Sequence, residues 1–184
     1  MAKILFIVGS MRKCSFNRAL AQKAETLIGD RAEVNWLEYS DIPFMNQDIE
    51  FPTLDSIARV RSEVQSADLV WIFTPEYNFN IPGVLKNLLD WLSRPLAPND
   101  YANPTAVTGK SVTITSAAGK SAGSGVRGSL SQLLGFMKMN VIGGEGVGIS
   151  LNPEAFMTGK ATFSEESIAL LKNQADELLT SLES

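Results

Sequence analysis

Dense apolar runs of strand length alternate along this chain with segments whose apolar residues recur at helical spacing. KILFIVG (3–9) is continuous and ends at a glycine, the pattern of a strand buried on both faces. Phe16, Ala19, Leu20, Ala24, Leu27 and Ile28 then follow at helical intervals, and Gly29 with Asp30 supplies a stop. AEVNWLEY (32–39) alternates, which suits an edge strand, and the stretch 40–52 is rich in turn residues. Leu54, Ile57, Ala58 and Val64 mark a second helix before the dense run ADLVWIFTP (67–75), in which Trp71 reads as core.

The same alternation continues to the end of the chain. Pro82 opens a helix in its first turn, Val84, Leu85, Leu88, Leu89 and Leu92 give that helix a wide apolar stripe, and Pro95 stops it. Residues 96–109 lack periodicity and read as a long surface insertion, with a mobile lid as the alternative. SVTITSA (111–117) is β-branched and strand-like, and Val126, Leu130, Leu133, Leu134 and Met137 form the next helical face. NVIGG (140–144) reads as a short fifth strand. A last helix carries Ile168, Leu171, Ala175, Leu178, Leu179 and Leu182, with Thr162 and Glu165 spaced as a capping box. Strands alternating with helices in this way predict an α/β fold with a parallel, doubly wound sheet.

Composition narrows the function. With 184 residues and 45% hydrophobic content, one domain over 1–184 is expected. A net charge of −4 without any Lys/Arg run argues against nucleic acid. The apolar run at the amino terminus is too short for a signal peptide or a membrane span, and a single cysteine, Cys14, forms no internal disulfide, so a cytoplasmic protein is expected. The complete lack of histidine removes Ser-His-Asp and Cys-His catalysis and most zinc or copper sites. An enzyme of this composition would draw its difficult chemistry from a bound cofactor.

The loop SMRKCSFN (10–17) is where such a cofactor would bind. Ligands of open α/β sheets sit beyond the carboxyl ends of the strands, where strand order reverses. A helix amino terminus there offers unpaired N–H groups and a partial positive charge to a phosphate. Ser10, Ser15 and Asn17 add neutral donors and Arg12 a bidentate cation. The simpler account is that Ser15 caps the helix, Asn17 sits in its first turn and Arg12 faces solvent. The loop has too few glycines for a dinucleotide fingerprint, so a mononucleotide fits better.

Two other patterns mislead. Residues 119–121 spell GKS, but Ile114 stands where a phosphate loop needs glycine. Gly123, Gly125 and Gly128 match GxGxxG, with Glu145 about twenty residues on, yet they fall in the fourth βα unit and not directly at a strand end. A loop approaching a flat ligand would account for these glycines as well.

SMRKCSFN (10–17) together with TPEYNFNIPGVLKNLLDWLSRP (74–95) resembles the NADPH-dependent FMN reductase family of flavodoxin-like quinone, azo-dye and chromate reductases, a likeness running from about Lys3 to Ile142. It implies a flavodoxin-like doubly wound five-stranded parallel sheet in the order 2-1-3-4-5, with helices on both faces. Carried over, Ser10, Arg12, Ser15 and Asn17 would hold the FMN phosphate, with Met11 and Phe16 contributing backbone. Pro75, Glu76, Tyr77 and Asn78 would border the isoalloxazine ring, and Ser116 with Gly119 would close its other edge. The residues of PEYN also form an ordinary turn pattern, in which Asn78 tolerates a left-handed backbone.

The implied reaction has two steps. NADPH or NADH delivers hydride to the flavin and leaves, and an acceptor (quinone, flavin, azo compound or metal oxyanion) then enters the same space. No side-chain acid or base is needed, so a chain without histidine, whose Cys14 reads as a small buried filler, remains compatible with activity. The family also implies a homodimer or homotetramer, with Arg127 and Glu145 resembling charges used between subunits. GSGVRGSLSQLL is about two residues shorter here than the family's GGxRAQ lead, which alters contacts around 121–127. A flavodoxin-like electron carrier and a flavin-binding regulatory module are the competing classes. SMRKCSFN and a charge of only −4 suit a flavodoxin less well.

Overall fold

The computed structural model describes residues 1–182. Its sheet runs parallel throughout in the order β2-β1-β3-β4-β5, with β6 also pairing β4. β1 (Lys3–Val8) is central, β2 (Glu33–Trp36) forms one edge, and β3 (Leu69–Phe73) and β4 (Ser111–Ala118) follow on the other side.

The expected order 2-1-3-4-5 therefore holds, while the expected strand count is corrected from five to six. The fifth position is filled by two short strands, β5 (Asn140–Val141) and β6 (Val147–Ser150). Asn140 and Val141 pair with Ser111 and Val112, and Val147 to Ser150 pair with Thr115 to Ala118. The glycine-rich segment 142–146 bulges between them. Arg127 fastens it by donating from Nη1 to the carbonyls of Gly146 at 3.1 Å and Glu145 at 3.4 Å.

Alternation along the strands divides the core in two. Leu5, Ile7, Val70, Ile72, Val112 and Ile114 point to one face, against α2 (Asp55–Ser66), α3 (Gly83–Leu92) and α4 (Ser124–Phe136). Ile4, Phe6, Val8, Leu69, Trp71 and Phe73 point to the other, against α1 (Phe16–Ile28) and α6 (Glu165–Leu182). Trp71 is core, as its run predicts, and its indole N–H donates to Thr115 Oγ1 at 2.7 Å. That hydroxyl in turn donates to Gln174 Oε1 at 2.7 Å, so the buried polar atoms around it are paired.

Several boundaries differ from the sequence reading. Pro82 lies just before α3 and its neighbour Gly83 begins the helix. Ser164, not Thr162, caps α6, accepting from the Ser167 N–H at 3.1 Å. A short helix, α5 (Pro153–Thr158), has no counterpart in the sequence reading. Its six residues are too few to show a period, although Asn152 and Pro153 form a good start signal. The segment 96–109 contains turns and no helix or strand; residues 96–105 lie at the surface, but Ala106 and Val107 are buried in the core, which corrects the reading of the whole segment as a surface insertion.

Candidate active site

The carboxyl ends of β1, β3 and β4 meet at one rim of the sheet. Ser10, Arg12, Ser15, Phe16 and Asn17 line a cleft there from the first loop, Pro75, Glu76 and Tyr77 from the loop after β3, and Gly119 from the end of β4. Nine of the twelve residues singled out from sequence thus converge, and Ala117, Ala118 and Phe156 join them. Met11, Asn78 and Ser116 do not line it.

The first loop is built for an anion. Ser15 caps α1, its Oγ accepting from the Arg18 N–H at 3.2 Å, and no acidic residue stands in the first turn. The N–H groups of Phe16 and Asn17 precede any intrahelical acceptor, so they face outward as unpaired donors. Arg12 makes no ion pair among the described residues, and its guanidinium lies 4.9 Å from the Phe16 ring centroid. Arg18, by contrast, points away, over Trp36 and toward Glu38.

The Asn17 side chain is engaged within the chain. It is buried, donating from Nδ2 to the Ala117 carbonyl at 3.0 Å and accepting the Ala117 N–H at 2.8 Å through Oδ1. This carboxamide ties the start of α1 to the end of β4, and so fixes the width of the cleft. The sequence reading of Cys14 as a buried filler is corrected too, because the residue is exposed on the outer side of the loop.

The loop after β3 closes on itself. Tyr77 and Asn80 exchange backbone hydrogen bonds at 3.2 and 3.0 Å around Asn78 and Phe79, both with positive φ, a tight turn of the I′ kind. Asn78 belongs to the turn, as the alternative sequence reading has it. Phe79 in this conformation is unusual for an aromatic residue and stores backbone strain at the rim. Tyr77, which lines the cleft, is 52% exposed, and Phe79 beside it in the turn is 72% exposed.

Glu76 lines the cleft but directs its carboxylate elsewhere. Oε1 accepts from Ser121 Oγ at 2.6 Å and Oε2 from the Val126 N–H at 3.0 Å, which caps the start of α4. Burial pushes this carboxyl up, but the Ser121 hydroxyl, the Val126 and Gly125 N–H groups and nearby Arg127 outweigh it and hold the group below its ordinary value. The one acid among the described residues lining the cleft is therefore engaged with α4.

Two of the GxGxxG glycines are required by close packing within the chain. Gly123 has φ +72°, and a Cβ there would come within 2.0 Å of Ser116 Oγ. A Cβ on Gly125 would meet the Phe79 carbonyl at 2.7 Å. Ser116 itself lies beneath Gly123, fully buried with its hydroxyl unpartnered. Arg127 is likewise committed within the chain, to the 142–146 bulge.

The cleft suits the flavin mononucleotide that its motifs imply. Its donors are cationic or neutral N–H and O–H groups with no free carboxylate facing them, the set a phosphate requires. The enclosed volume is about 140 Å³, below the ~300 Å³ at which enclosed ligand pockets usually begin. It can hold a phosphate and part of a sugar chain, while a flat ring would lie on the open rim beside Tyr77. On the opposite wall, a Cβ on Gly119 would meet nothing within 4 Å, so space remains there as well.

A family described as NADPH-dependent FMN reductase matches residues 2–153. The chain belongs to this family. An NAD(P)H-dependent FMN reductase of Pseudomonas aeruginosa is 31% identical over 179 residues, 96% of this chain and 92% of that protein. A quinone reductase of Pseudomonas putida is 32% identical over 166 residues, covering 89% of this chain and 82% of its own. Among solved structures, the flavoenzyme NAD(P)H:(acceptor) oxidoreductase FerB of Paracoccus denitrificans superposes with a TM-score of 0.84 at 26% identity, over 100% of this chain and 98% of FerB. This FMN reductase family member also has no described helix long and apolar enough to cross a membrane.

Proposed function

We propose that residues 1–184 form one domain that binds FMN in the cleft between the first loop and the Tyr77 turn, and that reduces quinones and similar small acceptors with NADPH or NADH. Bound there, FMN would supply the redox chemistry that links the nicotinamide to the acceptor, while the protein binds and orients it. Arg12 and the Phe16 and Asn17 N–H groups hold the phosphate, and Ser10 and Ser15 border it. The closed Tyr77–Asn80 turn gives the ring a rigid flank, and Tyr77 offers it an apolar face with a polar tip. No side-chain acid or base enters the reaction, in keeping with a chain without histidine. Free flavins, azo compounds and metal oxyanions are further acceptors that an open rim admits. The protein works in the cytoplasm as a homodimer or homotetramer.

The observation that carries this reading is Arg12, which has no ion pair among the described residues, beside the outward N–H groups of Phe16 and Asn17, with the one carboxylate among the described cleft residues turned to α4. Purified protein should be yellow, release FMN on denaturation, and bleach on addition of NAD(P)H. Steady-state turnover across quinone, flavin, azo and chromate acceptors with both nicotinamides ranks the substrates. Colour without bleaching would favour an electron carrier. A colourless protein that FMN cannot reconstitute would end the reading.

A further inference from the structure

The family match ends at residue 153, yet the chain then crosses back over the phosphate loop. Leu151 donates its N–H to the Ala118 carbonyl at 2.7 Å and Ser150 Oγ donates to the Gly119 carbonyl at 3.1 Å. These bonds direct the chain leaving β6 onto the cleft, where α5 sits across the first loop. Asn152 fixes its start by accepting the Ala155 N–H at 2.9 Å, and Ala155 is buried beneath it.

Two residues of this crossing touch the loop. The Phe156 ring meets the Phe16 ring edge to face, with centroids 5.5 Å apart and planes at 87°, and Phe156 lines the cleft. Phe16 in turn carries the Arg12 guanidinium at 4.9 Å from its centroid. Gly159, which ends α5 with φ +70°, also borders that guanidinium, and a Cβ there would lie 3.2 Å from Arg12 Nη2. Arg12, though exposed, is therefore flanked by an aromatic ring and by the residue that ends α5, and it forms no ion pair among the described residues.

We propose that α5 is a strap that positions Arg12 for the phosphate, with Phe156 acting through Phe16 as the positioning residue. This rests on the reading that the cleft takes FMN. A long arginine free in solvent would lose side-chain entropy on gripping a phosphate, and confinement in advance removes much of that loss. The ring contacts supply the confinement, since edge-to-face pairs and cation–π contacts each stabilise one geometry over the others. The strap is specific to the phosphate end of the ligand, so its effect should distinguish FMN from riboflavin.

The test is a titration of FMN and riboflavin into apo protein, read by quenching of flavin fluorescence, for wild type, Phe156→Ala, Arg12→Ala and the double variant. Phe156→Ala should weaken FMN binding about tenfold and riboflavin binding less than about twofold. In the Arg12→Ala background the same substitution should cost no further FMN affinity, because residues that act as a unit are not additive. Phe156→Tyr should retain wild-type affinity, and Met157→Ala, at a 79% exposed position on the same helix, should leave it unchanged. Equal losses for FMN and riboflavin, additive losses in the double variant, or full FMN affinity in Phe156→Ala would each overturn the strap. If wild type takes up no FMN, the reading of the cleft fails and the strap with it. If wild type binds FMN and Phe156→Ala binds it equally well, only the strap fails.

Discussion

The loop after β1 and the turn after β3 share one rim of the sheet and are similarly polar, yet they dispose of their polar groups in opposite ways. In the first, Arg12 has no ionic partner among the described residues and the α1 N–H groups of Phe16 and Asn17 face outward. In the second, Tyr77 and Asn80 satisfy each other, and Glu76 is bound to Ser121 and Val126. One region holds its donors in reserve for a ligand, and the other uses them to hold itself and α4 in place. A residue type found at a binding site therefore need not bind, and hydrogen-bond accounting separates the two roles.

Four substitutions test that division, taken from the largest expected effect to the smallest. Gly123→Ala forces a side chain onto Ser116 from a backbone with φ +72°. It should destabilise the protein by about 3 kcal/mol, a fall of roughly 6–12 °C in Tm. Calorimetry of the apo protein checks it. Arg12→Ala should weaken FMN binding by about 2 kcal/mol, ~30-fold, with apo Tm changed by less than about 2 °C. Equal FMN affinity would return this arginine to a purely solvent-facing role.

Glu76→Gln should show the reverse pattern, a loss of about 1 kcal/mol of stability with FMN affinity altered less than about threefold. Its pH dependence has a defined sign. Because the folded protein holds this carboxyl below its ordinary value of 4.5, the stabilisation is present above that value and is lost as pH falls through the lowered one. The Tm gap between wild type and Glu76→Gln should thus be full near neutrality and close in acid. Ser116→Ala removes a buried hydroxyl that has no partner. Stability should stay the same or rise by up to about 1 kcal/mol, with FMN affinity unchanged. A loss of FMN affinity here would place Ser116 at the ring edge.

The legibility of the chain followed the length and density of its patterns. β1, β3 and β4 are continuous apolar runs, and each is found close to where the hydrophobic pattern puts it. The split of the fifth position escaped because GGEG contributes no apolar period, and α5 because PEAFMT spans barely more than a turn. At the site, types and spacing brought the right loops together, but partner choice was not readable. Asn17 found its partner exactly one hundred residues away at Ala117, and Glu76 bonded to Val126, fifty residues on. Such long-range pairings have no local signal. Phe156 was missed for the same reason, its contact with Phe16 being made by a segment outside every motif.

The interruption between Val141 and Val147 has a consequence at the outer border of the sheet. Beyond β4 the outermost row of backbone N–H and C=O groups is broken by the 142–146 bulge, and the opposite border is the four-residue β2. Neither border supplies a long, flat run on which a strand from another molecule could template itself. Fibrous growth from the native state is thereby disfavoured, and aggregation on heating should begin only once the sheet itself has opened.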